Sequence, residues 1–229
     1  MLMSSSIYKR GTNAYALYPS GTGWRESASV RNADLVSVQD VMIGISGIKN
    51  HGKTTFMNEL NAAFGDAKFN LNFGDWPKIL MCNIFPLWSP DHFEDRELKE
   101  KVCPHYGVSP REAITKFATG FMRNQINPDY WINHIDERLY QTNTPYNRVI
   151  IGDVRFDNEA QYIKSKGGII IDVRNENKPV FPGDETESGI STDLIDIFID
   201  NSREDLKALK LQAENVTSLY VKGSNNATG

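Results

Sequence analysis

Two glycines, a lysine and a threonine stand at one narrow spacing in Gly47-Ile-Lys-Asn-His-Gly52-Lys53-Thr54, which fits the phosphate-loop pattern G-x-x-x-x-G-K-[ST]. The chemistry available to such a set is binding of a nucleotide's phosphates. Gly47 and Gly52 let the backbone bend close to phosphate oxygens where a Cβ would intrude. The amides of Asn50, His51, Gly52, Lys53, Thr54 and Thr55 then face that concavity at the positive end of a helix. Lys53 reaches the β and γ phosphates, and the Thr54 hydroxyl is placed to ligate magnesium.

The elements that position this loop are legible on both sides. Residues 41–46 form an apolar, β-branched run, and residues 55–63 carry Phe56, Leu60 and Ala63 at helical spacing. Strand, glycine loop and helix together separate a nucleotide site from an ordinary glycine turn. Downstream, Arg148-Val-Ile-Ile-Gly-Asp153 reads as a strand ending in an acid, and Asp153 is placed to orient a magnesium shell. Arg155 follows, Asp157 can cap a helix over 158–166, and residues 169–173 make another buried strand. This strand–helix–strand unit predicts an α/β fold with a parallel sheet.

Residues 67–73 read as a short strand running into Gly74-Asp75-Trp76-Pro77-Lys78, with Pro77 in the first turn of the next helix. Asp75 and Lys78 are either acceptor-side groups or a solvent-facing helix start. Residues 89–141 read as a helical insertion. Its three starts are Ser89-Pro90, Ser109-Pro110 and Asn127-Pro128, and Ser109 to Glu112 has capping-box spacing. Ile114, Phe117 and Phe121 would form one apolar stripe, and Ile132, Ile135 and Leu139 another. Arg111 and Arg123 interrupt this apolar pattern; each is an anion ligand or a surface arginine. Residues 175–192 are a lid or an ordinary surface loop. A last strand over 194–200 precedes a helix capped by Ser202, with Asp205 at the capping-box position. The domain reading is an N-terminal tail or irregular wrap over 1–38, a core over 39–221, and a loose tail over 222–229.

A net charge of -4 gives no global basic field for a nucleic-acid polymer. Cys82 and Cys103 form no metal-spaced pair, and no apolar run reaches transmembrane length. The expectation is a soluble, cytoplasmic protein without membrane partners, whether monomer or homodimer.

The ordered motifs over roughly residues 41–209 resemble the deoxynucleoside monophosphate kinases encoded by tailed bacteriophages. Val149 to Arg174, VIIGDVRFDNEAQYIKSKGGIIIDVR, is the sharpest part; the segments from Phe73 and Ser109, and Trp131, follow in the family's order. The resemblance implies a P-loop nucleoside monophosphate kinase-like sheet with a helical acceptor-binding region and a short lid. It implies transfer of the γ-phosphoryl group of ATP to a dNMP with Mg2+, in the host cytoplasm if the protein is virus-encoded. Lys53 and the loop amides would hold the donor. Asp153 and Thr54 would attend the metal, and Arg155 and Arg174 the transferring phosphate. Asp75, Lys78, Arg111, Arg123 and Trp131 would attend the acceptor, with Glu187 in the lid. The family's lid often reads His-x-x-Glu, whereas Asp184 takes the histidine position here. Some relatives carry an aspartate before the loop threonine, where this chain has Thr54-Thr55.

Two other classes share the phosphate loop. One is a kinase for another small acceptor, such as a nucleoside or cofactor precursor. The other is a nucleotide-dependent switch or assembly protein, which would show no monophosphate-stimulated ADP release.

Overall fold

The computed structural model describes residues 9–10, 13–14, 41–65, 69–141, 148–178 and 189–221. The chain divides into two units, Met1–Val36 and Ser37–Gly229. In the first, β1 (Lys9–Arg10) pairs antiparallel with β2 (Asn13–Ala14). Within the second, β3 (Val41–Ser46), β4 (Phe69–Leu71), β5 (Arg148–Ile151), β6 (Ile169–Arg174) and β7 (Ile197–Asp200) make one sheet, ordered β4-β5-β3-β6-β7. Every pairing in it is parallel. The expected α/β architecture is the one observed.

Parallel strands are covered on both faces, which is why β3, β5 and β6 are nearly continuous Ile/Val runs. Ile43, Ile45, Ile150, Ile171 and Val173 face α1 (Lys53–Phe64) and α7 (Leu206–Val221), packing on Phe56, Leu60, Leu209 and Ala213. The alternate residues Met42, Val149, Ile151 and Ile170 face α5 (Tyr130–Gln141) and α6 (Asp157–Ser165), through Ile132, Ile135, Ala160 and Ile163. Gly44 lies on this second face. A Cβ there would sit 2.6 Å from Ile163 Cδ1 and 2.7 Å from Ile170 Cδ1. Its absence lets α6 close onto the central strand.

The helical region comprises α2 (Asp75–Ile84), α3 (Asp91–Glu94), a 3-10 turn (Leu98–Glu100), α4 (Pro110–Ile114), a π-helix (Thr115–Ile126) and α5. It has its own small core of Met81, Trp88, Phe93 and Ala113. The Trp88 ring lies 4.4 Å from Phe85, 5.3 Å from Tyr106 and 5.9 Å from Phe93, centroid to centroid. Ser109 caps α4 as expected, its hydroxyl accepting the Glu112 amide at 3.2 Å. The Ile132, Ile135 and Leu139 stripe also faces the core.

Several local expectations are corrected. The stripe through Phe121 assumed α winding, but residues 115–126 close i→i+5 turns, as in the Asn127 amide donating to Met122 O. Phe117, Ala118 and Met122 therefore pack inward, while Phe121 is exposed. The last helix is capped by Asp205, which accepts the Lys207 amide at 2.9 Å; Ser202 instead accepts from the Glu176 amide. Asp157 does not bond its own helix start; its carboxylate takes the Ser191 amide at 2.8 Å and the Ser191 hydroxyl. Residues 192–194 form a 3-10 turn, so β7 begins at Ile197. The strand expected over 67–73 is observed as Phe69–Leu71, with 67 and 68 outside the described residues.

Candidate active site

Chain order places the site. From central β3, the next three core strands divide so that β4 and β5 lie on one side and β6 on the other. The crevice beyond the carboxyl ends at such a reversal is where parallel sheets bind ligands. Here it opens as a cleft of about 820 Å³ between the phosphate loop, the ends of β4, β5 and β7, and the helical region.

The loop has the shape its glycines permit. Gly47 has φ 135° and Gly52 φ 101°, the left-handed side of backbone space. A Cβ on Gly47 would lie 2.4 Å from Val173 O, and one on Gly52 2.2 Å from Asn201 Nδ2. That Asn201 amide donates to His51 O at 3.0 Å, tying the loop to the end of β7. Lys53 folds back over the loop and donates to Gly47 O and, at 2.9 Å, to Ile48 O. Thr54 and Thr55 follow it in the first turn of α1, and Asn50, Gly52, Lys53, Thr54 and Thr55 all line the cleft. Gly47 does not, and shapes the loop from behind. His51 is also turned inward: it is buried, and its Nδ1 accepts the Asn175 amide at 3.1 Å. The side chain is a brace for the loop rather than part of the surface it presents to the cleft.

Asp153 lies two residues past β5 and lines the cleft. Its Oδ1 accepts the Phe73 amide at 2.7 Å and its Oδ2 the Gly74 amide at 2.8 Å. The aspartate therefore fixes the start of α2 as well as facing the loop. Asp75 is not among the lining residues; its carboxylate bonds the Asn72 amide and side chain at 3.1 and 3.0 Å. Burial, then the charge of Asp153, raises its pKa. Lys78 does line the cleft and pairs with Glu94 at 2.8 Å. Burial works against its charge, but Glu94, and then Asp75 and Asp153, hold its pKa above the ordinary lysine value.

On the helical side, Arg111, Thr115, Ala118, Thr119, Arg123 and Trp131 line the cleft. Arg123 donates to Pro128 O at 2.9 Å and Asn158 Oδ1 at 2.7 Å, and stacks 3.7 Å from the centroid of Phe156. Buried Trp131 donates Nε1–H to Ala118 O at 3.0 Å, bracing the π-helix. Continuous π winding is uncommon, and short stretches of it concentrate at functional sites.

Arg155 lines the cleft, and its amide donates to Glu159 Oε2 at 2.8 Å. Glu159 was missed by sequence reasoning. It is buried at the cleft wall and also accepts the Phe156 amide; burial foremost pushes its pKa up to about 8. The local signal for it is an acid in the first turn of α6, three residues after Phe156, where it can accept the amides that precede the helix. Arg96 and Lys99 were also missed, hidden in the charged run 94–101 that reads as a solvated face.

Arg174 is not brought to the cleft. Its Nε donates to buried Asp172 at 2.5 Å, and its guanidinium lies 4.6 Å from the centroid of Phe198. Position 174 ends β6 on the face opposite the phosphate-loop helix, and the carboxylate two residues earlier captures the side chain. Glu187, Asp184 and most of the expected lid lie outside the described residues, as do most of 1–38 and the tail from 222. Among the described residues no helix is long and apolar enough to cross a membrane.

Comparison with known proteins places the chain in a family. A protein of Acanthamoeba polyphaga mimivirus named "Putative deoxynucleotide monophosphate kinase" is 28% identical over 158 residues, covering 64% of this chain and 78% of the viral protein. The family model described as deoxynucleotide monophosphate kinase matches residues 95–212, a span that takes in the helical region from the 3-10 turn onward, Asp153, Arg155 and the last three strands. This chain belongs to the deoxynucleotide monophosphate kinase family.

Proposed function

We propose that the protein transfers the γ-phosphoryl group of ATP to a deoxynucleoside monophosphate, giving ADP and a dNDP. The observation that carries this reading is one cleft lined by Lys53 and its loop, by Asp153 and Arg155, and by Lys78, Arg111 and Arg123 across from them. Donor and acceptor phosphates would meet between those walls. An acceptor phosphate oxygen attacks the γ phosphorus, and the bond to the β–γ bridging oxygen breaks with ADP as leaving group. The nucleophile is already anionic, so the reaction needs no covalent enzyme intermediate. Catalysis then rests on in-line positioning and charge compensation.

Lys53 would exchange its contacts with the Gly47 and Ile48 carbonyls for the donor's β and γ oxygens. Arg155 would meet the transferring group. Lys78, Arg111 and Arg123 would hold the acceptor phosphate, with Trp131 and the π-helix forming a wall for the nucleoside. Among the described residues there is no cluster of three acidic, histidine or cysteine ligands for a metal. Magnesium would arrive with the nucleotide, since this ion keeps water and phosphate ligands and needs few from the protein. Thr54 would hold it, with Asp153 acting directly or through water. When bound, it would neutralise charge on the β and γ oxygens.

ADP production from Mg-ATP, measured across dAMP, dGMP, dCMP, dTMP and the ribose counterparts with product identity checked, tests the reading. Matched dNDP formation that falls by roughly 100-fold or more in Lys53→Ala is expected. ATP binding without stimulation by any monophosphate would overturn it.

A further inference from the structure

One oxygen of Glu100, a residue at the edge of the cleft and not in its lining, bonds two residues that do line it. Its Oε1 accepts Arg111 Nε at 2.6 Å and Lys49 Nζ at 3.3 Å. Lys49 belongs to the phosphate loop and Arg111 to α4. Arg96 and Lys99 line the same cleft. Burial, then the charges of Arg111 and Lys49, hold the Lys99 pKa below the ordinary lysine value. Four cations are thus gathered here, and Glu100 is the carboxylate bonded to two of them.

We propose that Glu100 is a built-in stand-in for the acceptor phosphate: it holds Arg111 and Lys49 until a phosphate displaces it, and so sets the enzyme's affinity for the acceptor. This rests on the reading that Arg111 meets the acceptor phosphate. A carboxylate and a phosphate present the same kind of anionic oxygen to these cations. Glu100 engages Arg111 through Nε, whereas phosphate can take a guanidinium edge with two parallel bonds. The side chains of Lys49, Glu100 and Arg111 are 33%, 45% and 27% exposed. Water can therefore replace the carboxylate as it leaves, and such part-exposed pairs break at little cost. A dianion seated on Arg111 would repel an unmoved Glu100, so binding and departure are coupled. Removing the negative charge while keeping the side chain's shape should remove Glu100's competition with the incoming phosphate for Arg111.

The test uses the full chain as wild type, Glu100→Gln and Glu97→Gln, titrated calorimetrically with inorganic phosphate and with the four dNMPs. Glu97 is an exposed residue three positions away, and its replacement makes the same change in net charge. Glu100→Gln should bind phosphate and the accepted dNMP about two- to five-fold more tightly. Its acceptor KM should fall by the same factor with kcat retained, while Glu97→Gln changes neither. Unchanged or weaker phosphate binding by folded Glu100→Gln overturns the proposal, as does equal tightening by Glu97→Gln or no phosphate binding by any form. If no form binds a monophosphate, the acceptor reading fails and the proposal with it; if the accepted dNMP binds but Glu100→Gln binds it no more tightly, the proposal alone fails.

Discussion

Asp153 holds the backbone amide of Phe73 at 2.7 Å, across 80 residues of chain, and so joins the end of β5 to the end of β4. With its other oxygen on the Gly74 amide, the side chain sets the angle at which α2 leaves the sheet. An aspartate expected only to attend a metal thus also fixes the start of α2. Asp153→Asn retains one acceptor oxygen but opposes an amide donor to one of the two backbone donors. The expected outcome is a stability loss of about 1–3 kcal/mol by urea denaturation. A fall in kcat larger than that of any surface variant should accompany it.

Glu159 gives a pH dependence whose sign follows from burial. Its folded pKa of about 8 lies above the 4.5 of an ordinary glutamate. Between these values the native state keeps a proton that the unfolded chain releases. Its stabilising contribution is therefore complete below about pH 4.5 and declines as pH rises through 8, by roughly a few kcal/mol in total. Glu159→Gln keeps the acceptor for the Arg155 and Phe156 amides and removes the titration. Denaturation midpoints at pH 5 and pH 8.5 should differ less in this variant than in wild type; an equal difference would locate the titration elsewhere.

Arg155 and Arg174 should separate cleanly in kinetics. Arg155 lines the cleft, whereas Arg174 is held by Asp172 and lies over Phe198. Arg155→Ala is expected to lower kcat by roughly 100-fold or more. Arg174→Ala should leave kcat within a few-fold and reduce stability by about 1–3 kcal/mol, because the buried Asp172 loses a charged partner. Steady-state kinetics beside urea denaturation checks both.

Gly52→Ala places a Cβ in left-handed backbone and against the Asn201 amide. A cost on the order of 1–3 kcal/mol is expected from the backbone alone. The double variant Gly52→Ala, Asn201→Ala removes the collision but not the φ constraint, so thermal denaturation should show only partial recovery. Full recovery would assign the cost to the clash.

The sequence by itself determined the phosphate loop, its flanking strand and helix, and the parallel sheet. Each of these is a local pattern: glycines at φ-permissive positions, β-branched runs, and apolar residues at helical spacing. It also named Lys53, Thr54, Lys78, Arg111, Arg123, Asp153 and Arg155, which share the cleft because polar residues at strand ends and helix starts face the crevice. Tertiary structure alone decided what those types were bonded to. His51 and Arg174 match phosphate-site positions, yet Asn175 and Asp172 turn them to structural work. Phe121 is apolar at α spacing, but π winding rotates it outward. Glu159 and Glu100 read as unremarkable acids, because burial of one and the partners of the other come from segments distant in sequence or separated by a turn. Propensity and periodicity are properties of neighbours along the chain, whereas desolvation and charge pairing depend on neighbours in space.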